Sequence, residues 1–97
     1  MSKNGRTPHP GEILLDKFLK PKKMTIYKLA KDINVPQSRL SQITLGKRII
    51  TADTAIRLGK YFNKPAQYFL GLQNDYEVFL AQKKNDKVYK QIKPFKK

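Results

Sequence analysis

The sequence contains no cysteine and no long apolar run. Without cysteine the chain forms no disulfide bond and offers no thiolate to a metal ion, a composition typical of cytoplasmic proteins. Its apolar runs fall well short of the roughly 18 residues that a transmembrane helix needs. The first 20 residues also lack the uninterrupted apolar segment of a secretory signal. We therefore expect a cytoplasmic protein that does not span a membrane.

Residue types that serve catalysis are scarce as well. His9 is the single histidine, and it stands directly before Pro10, where we expect it to act structurally at the start of a helix. The seven acidic residues are scattered along the chain, and no glycine-rich phosphate-binding loop is present. The sequence therefore predicts no enzyme, no metal site and no bound cofactor.

Positive charge is the feature in excess. Lysine and arginine number 21 against 7 acidic residues, which gives a net charge of +14, and each third of the chain is positive. Charge of one sign spread this widely suits a long polyanion better than a single acidic ligand. The alternative, solubility alone, leaves the cost of self-repulsion unexplained. The charge therefore favours a nucleic acid as the partner.

Residues 25–48 carry the pattern of two short helices joined by a tight turn. Apolar residues recur at spacings of three and four within each half, which marks one buried face on each helix. Between the halves, Asn34 can adopt the left-handed conformation that ends a helix, and Pro36 can open the next one. In a strongly basic chain this pattern predicts a helix-turn-helix whose second helix enters the DNA major groove.

The flanking segments predict further helices and an all-α fold with five helices in total. A helix begins near Pro10 and another opens near Pro65, while Gly71 and Asn74 leave open how far the last helix extends. The residues of the fourth helix that are expected to point inward are Ala55, Ile56, Leu58 and Phe62. Three segments are predicted: a flexible basic arm (1–8), a DNA-binding domain (9–82) and a lysine-rich tail (83–97) that is disordered when free.

The second helix of the motif is where base contacts are expected. With Leu40 and Ile43 buried, its outward side chains are Gln37, Ser38, Arg39, Ser41 and Gln42. Glutamine can pair with adenine through two hydrogen bonds, and arginine can pair with guanine or with a phosphate. A solvated face of ordinary polar residues is the alternative interpretation of the same side chains.

Phosphate contacts are expected on either side of this helix. Lys47 and Arg48 follow Gly46, where the helix ends, and backbone contacts of this kind position a protein without reading sequence. Thr25 precedes the first helix of the motif and is at least equally suited to cap it. The predicted phosphate contacts are Thr25, Ser41, Lys47 and Arg48.

The run LAKDINVPQSRLSQITLGKR resembles the helix-turn-helix of the phage-repressor (XRE/Cro-like) superfamily. The segments HPGEIL at 9–14 and ITADTAIRLGKYFNKPAQYFLGLQNDYE at 50–77 make the chain similar to the HigA (VapI-type) antitoxins. This resemblance implies a five-helix phage-repressor-like fold and a homodimer on the palindromic operator of its own operon. It also implies neutralisation of a HigB-like toxin of the RelE-like group, which cuts messenger RNA. In such domains the base-reading positions correspond to Gln37, Ser38 and Gln42.

Aromatic residues are concentrated in the last two predicted helices. Most are expected in the core, and the outer ones in a dimer interface that holds two recognition helices roughly 34 Å apart. The predicted interface residues are Tyr68, Phe69, Leu72, Tyr76 and Phe79.

Several functions remain open from the sequence. The first is an antitoxin that represses its own operon, and the second is a stand-alone XRE-family regulator with no toxin partner. The third is a toxin-neutralising module without an operator, and the fourth is RNA binding, for which no aromatic stacking platform is evident. The lysine-rich tail has no counterpart in the resemblance, and solvated disorder, phosphate contacts or docking on a partner are all compatible with its composition.

Overall fold

The computed structural model describes residues 8–96, which form five helices and contain no strand. The helices are α1 (Pro10–Ile13), continued by a π-helical segment (Leu14–Leu19), α2 (Ile26–Ile33), α3 (Gln37–Thr44), α4 (Ala52–Phe62) and α5 (Ala66–Lys90). Over this part of the chain the all-α, five-helix prediction is confirmed. None of these helices is long and apolar enough to cross a membrane. Seven of the eight residues of the expected basic arm, 1–7, lie outside the described part.

His9 opens α1 through a reciprocal cap. Its Nδ1 accepts a hydrogen bond from the Gly11 amide at 3.1 Å, and its own amide donates to Glu12 Oε1 at 3.2 Å. Both amides would otherwise lack an acceptor at the helix start, and Pro10 has no amide hydrogen to satisfy. The structural interpretation of His9 is therefore confirmed.

The first helical segment packs with almost no space against α3. A π-helix joins residues five apart, so Leu14 and Leu19 lie on one face of the segment, and both are buried. At Gly11 the approach is so close that a Cβ atom would collide with the backbone of Ile43 and Thr44. The backbone of α1 therefore supports α3 directly.

The helix-turn-helix forms through the local signals that the sequence carries. Thr25 Oγ1 accepts a hydrogen bond from the Lys28 amide at 3.0 Å and so caps α2. Asn34 ends α2 in the left-handed conformation, with φ at 61°. Pro36 stands in extended conformation directly before α3. Both the predicted turn and the predicted cap are confirmed.

The hydrophobic core lies where the faces of all five helices meet. Leu29, Leu40, Ala55 and Leu58 have no exposed surface, and truncating a leucine in such a place costs about 2–5 kcal/mol. Ile56 was expected inside, but its side chain is 49% exposed. The reason is helical geometry, because Ala55 and Leu58 define the inner face of α4 and Ile56 lies about 100° from Ala55 around the axis.

The last helix is much longer than the sequence suggested. Burial of Phe69, with Leu70 and Leu72 packed against the core, outweighs the roughly 1 kcal/mol that Gly71 costs in a helix. Beyond the packed part α5 continues to Lys90, with one non-helical residue at Asn85. Residues 83–90 are therefore helical in the structure, where a disordered tail was expected.

Candidate nucleic-acid interface

The outward face of α3 carries the predicted base-reading side chains. Gln37, Ser38 and Gln42 are all exposed, whereas Leu40 and Ile43 on the opposite face are at most 1% exposed. Ser38 and Gln42 are four residues apart and therefore lie next to each other on the helix surface. Three side chains that donate and accept hydrogen bonds are thus gathered at one end and face of a short helix.

The start of α3 leaves its backbone amides open to an external acceptor. Pro36 occupies the cap position, and no side chain accepts a hydrogen bond there. The amides at a helix start carry partial positive charge and readily bind phosphate groups. The same end of α3 therefore offers both side-chain and backbone donors.

Arg39 differs from its neighbours because it is already paired. Its guanidinium lies 3.7 Å from the carboxylate of Asp53 in α4, and its side chain is 32% exposed. Asp53 also pairs with Arg57 at 3.0 Å. Ion pairs as exposed as this one contribute about 0–1 kcal/mol, so a phosphate or a guanine can replace Asp53 as the partner of Arg39.

The predicted phosphate-binding residues occupy two places in the structure. Lys47 and Arg48 are exposed in the loop that follows α3. Thr25 is exposed at the start of α2, where its Oγ1 is already the cap acceptor. Ser41 is half-buried on α3, and its carbonyl oxygen accepts a hydrogen bond from the Thr44 hydroxyl at 2.8 Å.

Gln73 is a site-positioning residue that the sequence interpretation missed. Its Nε2 donates to the Ile50 carbonyl at 3.0 Å, and its Oε1 accepts from the Ile50 amide at 2.6 Å. This contact joins α5 to the loop that carries Lys47 and Arg48. A signal was present, because Gln73 is a polar residue four positions after Phe69 and thus on the buried face of α5.

Arg57 is a second residue that positions the interface and that sequence reasoning overlooked. Its guanidinium donates to the carbonyl oxygens of Ile33 at 2.9 Å and Asn34 at 3.2 Å. These carbonyls stand at the end of α2, where the helix leaves its last acceptors without internal donors. Arg57 thereby fixes the turn of the motif to α4, and no local sequence pattern announces such a contact.

A hydrogen-bonded group of three side chains ties α2 to α4 on another surface. The Tyr61 hydroxyl donates to the Asp32 carboxylate, which also pairs with Lys28 at 2.9 Å. The bond from Tyr61, followed by the one from Lys28, lowers the pKa of Asp32 below its ordinary value. The bond to Asp32 raises the pKa of Lys28. Both groups are exposed, so their role is to orient the two helices.

The predicted dimer interface is wrong in one residue. Phe69 is only 1% exposed and packs on Phe18 with ring centroids 5.4 Å apart, so it belongs to the core. It occupies the face of α5 that turns inward, and its large ring fills the space between helices. The other four predicted interface residues, Tyr68, Leu72, Tyr76 and Phe79, are half-buried.

A cleft of about 280 Å³ lies between the loop after α3 and the middle of α5. Its walls include Ile49 of the loop, Tyr76 and Leu80. Ile49 is 59% exposed and Leu80 44% exposed, which is unusual for large aliphatic side chains on a single chain. This apolar surface borders the loop that holds Lys47 and Arg48.

Comparison with known proteins places these features in context. The model of a helix-turn-helix family, HTH_3, matches residues 15–69. Virulence-associated protein I of Dichelobacter nodosus is 45% identical over 74 residues, covering 76% of this chain and 68% of that protein. The structure of the Pseudomonas aeruginosa antitoxin HigA with the higBA promoter superimposes with a TM-score of 0.86 at 38% identity, covering 94% of this chain and all of the other. An antidote protein of the HigA family from Coxiella burnetii gives a TM-score of 0.85 at 41% identity, covering 93% and 99%.

Proposed function

The chain belongs to the helix-turn-helix family HTH_3, its structural neighbours are HigA antitoxins, and from this premise we propose that it is itself an antitoxin that binds its own operator. As a homodimer it would repress its operon on a palindromic site and neutralise a HigB-like, mRNA-cleaving toxin in the cytoplasm. The observation that carries the proposal is the exposed polar face of α3, on a fold that matches an antitoxin bound to its promoter.

Binding of α3 in the major groove accounts for the placement of each polar group. Gln37, Ser38 and Gln42 reach base edges, and Arg39 joins them when it leaves Asp53. Contacts to phosphates, through Lys47 and Arg48 and at shorter range through Thr25 and Ser41, supply register and most of the affinity. The net charge of +14 draws the protein to DNA before any base is read.

Dimerisation is required if two copies of α3 are to read two half-sites. We place the contact at the cleft formed by Ile49, Tyr76 and Leu80, where exposed apolar surface borders the DNA-binding loop. Tyr68, Leu72 and Phe79, on a neighbouring face of α5, extend the interface, and Phe69 is no longer part of it. A protein that sediments as a monomer at micromolar concentration contradicts this arrangement.

The experiment that tests the function begins with the small open reading frame next to this gene. We expect its product to stop growth when expressed alone and growth to resume when this chain is expressed with it. In parallel, the purified protein should bind a duplex from the upstream region more tightly than a scrambled duplex at the same salt concentration. A harmless neighbour with preserved operator binding would make the protein a stand-alone regulator. Toxin neutralisation without operator preference would make it a neutralising module only.

A further inference from the structure

The C-terminal basic segment, residues 83–96, is the strongest charged feature that the proposed function leaves unused. It carries Lys83, Lys84, Lys87, Lys90, Lys93 and Lys96 against the single acidic residue Asp86. Each of its residues is exposed, whereas α5 still contacts the body of the domain as far as Ala81. The segment therefore contributes nothing to the core, and its charge adds self-repulsion to a chain that is already strongly basic.

The lysines of this segment are largely available for an external partner. Lys90 pairs with Asp86 at 3.0 Å, and Lys83 lies 6.0 Å from the centre of the Phe79 ring. No carboxylate among residues 8–96 lies within ion-pair distance of Lys84 or Lys87. A partner with many negative charges would satisfy these groups.

The register of α5 brings the segment out on the side of the DNA-binding loop. One face of the helix carries Phe69 in the core, then Gln73 on the backbone of Ile50, then Leu80 in the cleft lined by Lys47 and Arg48. The helix runs on from this point without a break until Asn85. At about 1.5 Å per residue, Lys84 lies one turn, or roughly 6 Å, beyond Leu80 on the same face.

We propose that the C-terminal basic segment binds the DNA backbone beside the half-site that α3 reads. This proposal rests on operator binding as set out above and adds a second, separate contact to it. The occupant is double-stranded DNA, because the lysines extend the surface that already carries Lys47 and Arg48 and because phosphates run on past the half-site. Lysine side chains on one helix face meet successive phosphates and read no base.

The test compares two variants of the full chain that lose the same charge in different places. The test variant carries Lys83→Gln, Lys84→Gln and Lys87→Gln, and glutamine keeps a high helix propensity. The control variant carries Lys17→Gln, Lys60→Gln and Lys64→Gln, which lie outside α3, the loop after it and the C-terminal segment. Both variants have three positive charges fewer than the parent, so general attraction to DNA falls equally. Circular dichroism melting checks that both remain folded.

The measurement is the dissociation constant for an operator duplex across a range of salt concentrations. We expect the logarithmic salt slope of the test variant to be shallower than that of the control by about two to three, since each lost phosphate contact removes about 0.9. The loss of affinity should be equal on operator and scrambled duplexes. Trimming the flanks of the duplex should reduce the parent's slope to that of the test variant. Equal slopes for the test and control variants overturn the proposal.

The same data separate a failure of this inference from a failure of the proposed function. Preference of the unaltered chain for operator over scrambled duplex tests the role of α3, and it does not depend on the segment. If that preference is present and the two slopes are equal, only the second contact is refuted. If the preference is absent and the slopes still differ, the segment binds DNA in a protein that reads no operator.

Discussion

Gln73 holds Ile50 by both of its backbone groups, with hydrogen bonds of 2.6 and 3.0 Å across 23 residues of sequence. The Ile50 side chain is itself buried, at 1% exposed. The loop after α3 is therefore fixed at this residue by apolar burial and by two directional bonds. Lys47 and Arg48 are held in place relative to α3 through this anchor.

Replacing Gln73 with leucine should destabilise the protein. The change removes both hydrogen bonds and leaves the Ile50 amide and carbonyl without their partner, at a cost of about 1–3 kcal/mol in the free energy of unfolding. Urea denaturation followed by circular dichroism measures the effect. Gln67→Leu, at an exposed position of the same helix, serves as the control, and an equal loss in both variants would refute the role of Gln73.

Gln42→Ala should alter the choice of base more than the total affinity. A glutamine paired with adenine is worth about 1–3 kcal/mol of discrimination at one base pair. Binding to a set of operator duplexes, each changed at a single position, should show the penalty disappear at one position in each half-site. Gln67→Ala provides a matched control away from α3, and an unchanged profile for Gln42→Ala contradicts the assignment.

Lys47→Ala should weaken binding to every sequence by the same factor. Lys47 is exposed in the loop after α3, where it is placed to contact a phosphate. Loss of one such contact makes the logarithmic salt slope shallower by about 0.9. Fluorescence anisotropy on operator and scrambled duplexes at several salt concentrations gives both quantities. A loss confined to the operator would assign a base-reading role to Lys47 instead.

Local chemistry explains why the helix-turn-helix could be predicted from sequence. Thr25, Asn34 and Pro36 each act within a few residues of their own position, as a cap, a helix end and a helix start. The exposed face of α3 followed from the burial of Leu40 and Ile43, which the spacing indicated.

Contacts across long stretches of sequence explain what could not be predicted. Arg57 reaches Ile33 over 24 residues, and no pattern within α4 distinguishes it from an ordinary surface arginine. Phe69 was assigned to the dimer interface because an aromatic residue suits both a core and an interface. Only the packing of α5 on the other helices decided between the two.

Tyr61→Phe should raise the pKa of Asp32. The hydrogen bond from Tyr61 is the main cause of the lowered pKa, and the pair with Lys28 remains in the variant. A lowered pKa in the folded state stabilises the protein above the pKa of the unfolded chain, and this contribution is lost as the pH falls through the folded-state pKa. The variant should therefore show less acid-dependent loss of stability.

NMR titration of the carboxyl carbon of Asp32 measures this shift directly. Tyr89→Phe, an exposed tyrosine near the end of α5, is the control and should leave the titration of Asp32 where it is. If the midpoint of Asp32 is the same in Tyr61→Phe and in the parent protein, the hydrogen bond does not stabilise the carboxylate.

Gly11→Ala and Gly71→Ala form a matched pair with opposite expectations. An added Cβ at Gly11 collides with the backbone of α3, which should destabilise the fold by about 1–3 kcal/mol or more. At Gly71 there is no atom within 4 Å of the added carbon, so the substitution should stabilise α5 by up to about 1 kcal/mol. Thermal melting of both variants checks the two signs. Equal destabilisation would show that α1 and α3 are less closely packed than described.

The direct contact between α1 and α3 separates the seating of the recognition helix from its content. Gly11, Leu40 and Ile43 fix the position of α3, while Gln37, Ser38 and Gln42 lie on its far side and take no part in that packing. The three outward residues can therefore be exchanged as a set while the scaffold stays folded. Duplicated copies of such a gene can diverge to independent targets within one cell, and a laboratory can retarget this domain by the same three substitutions.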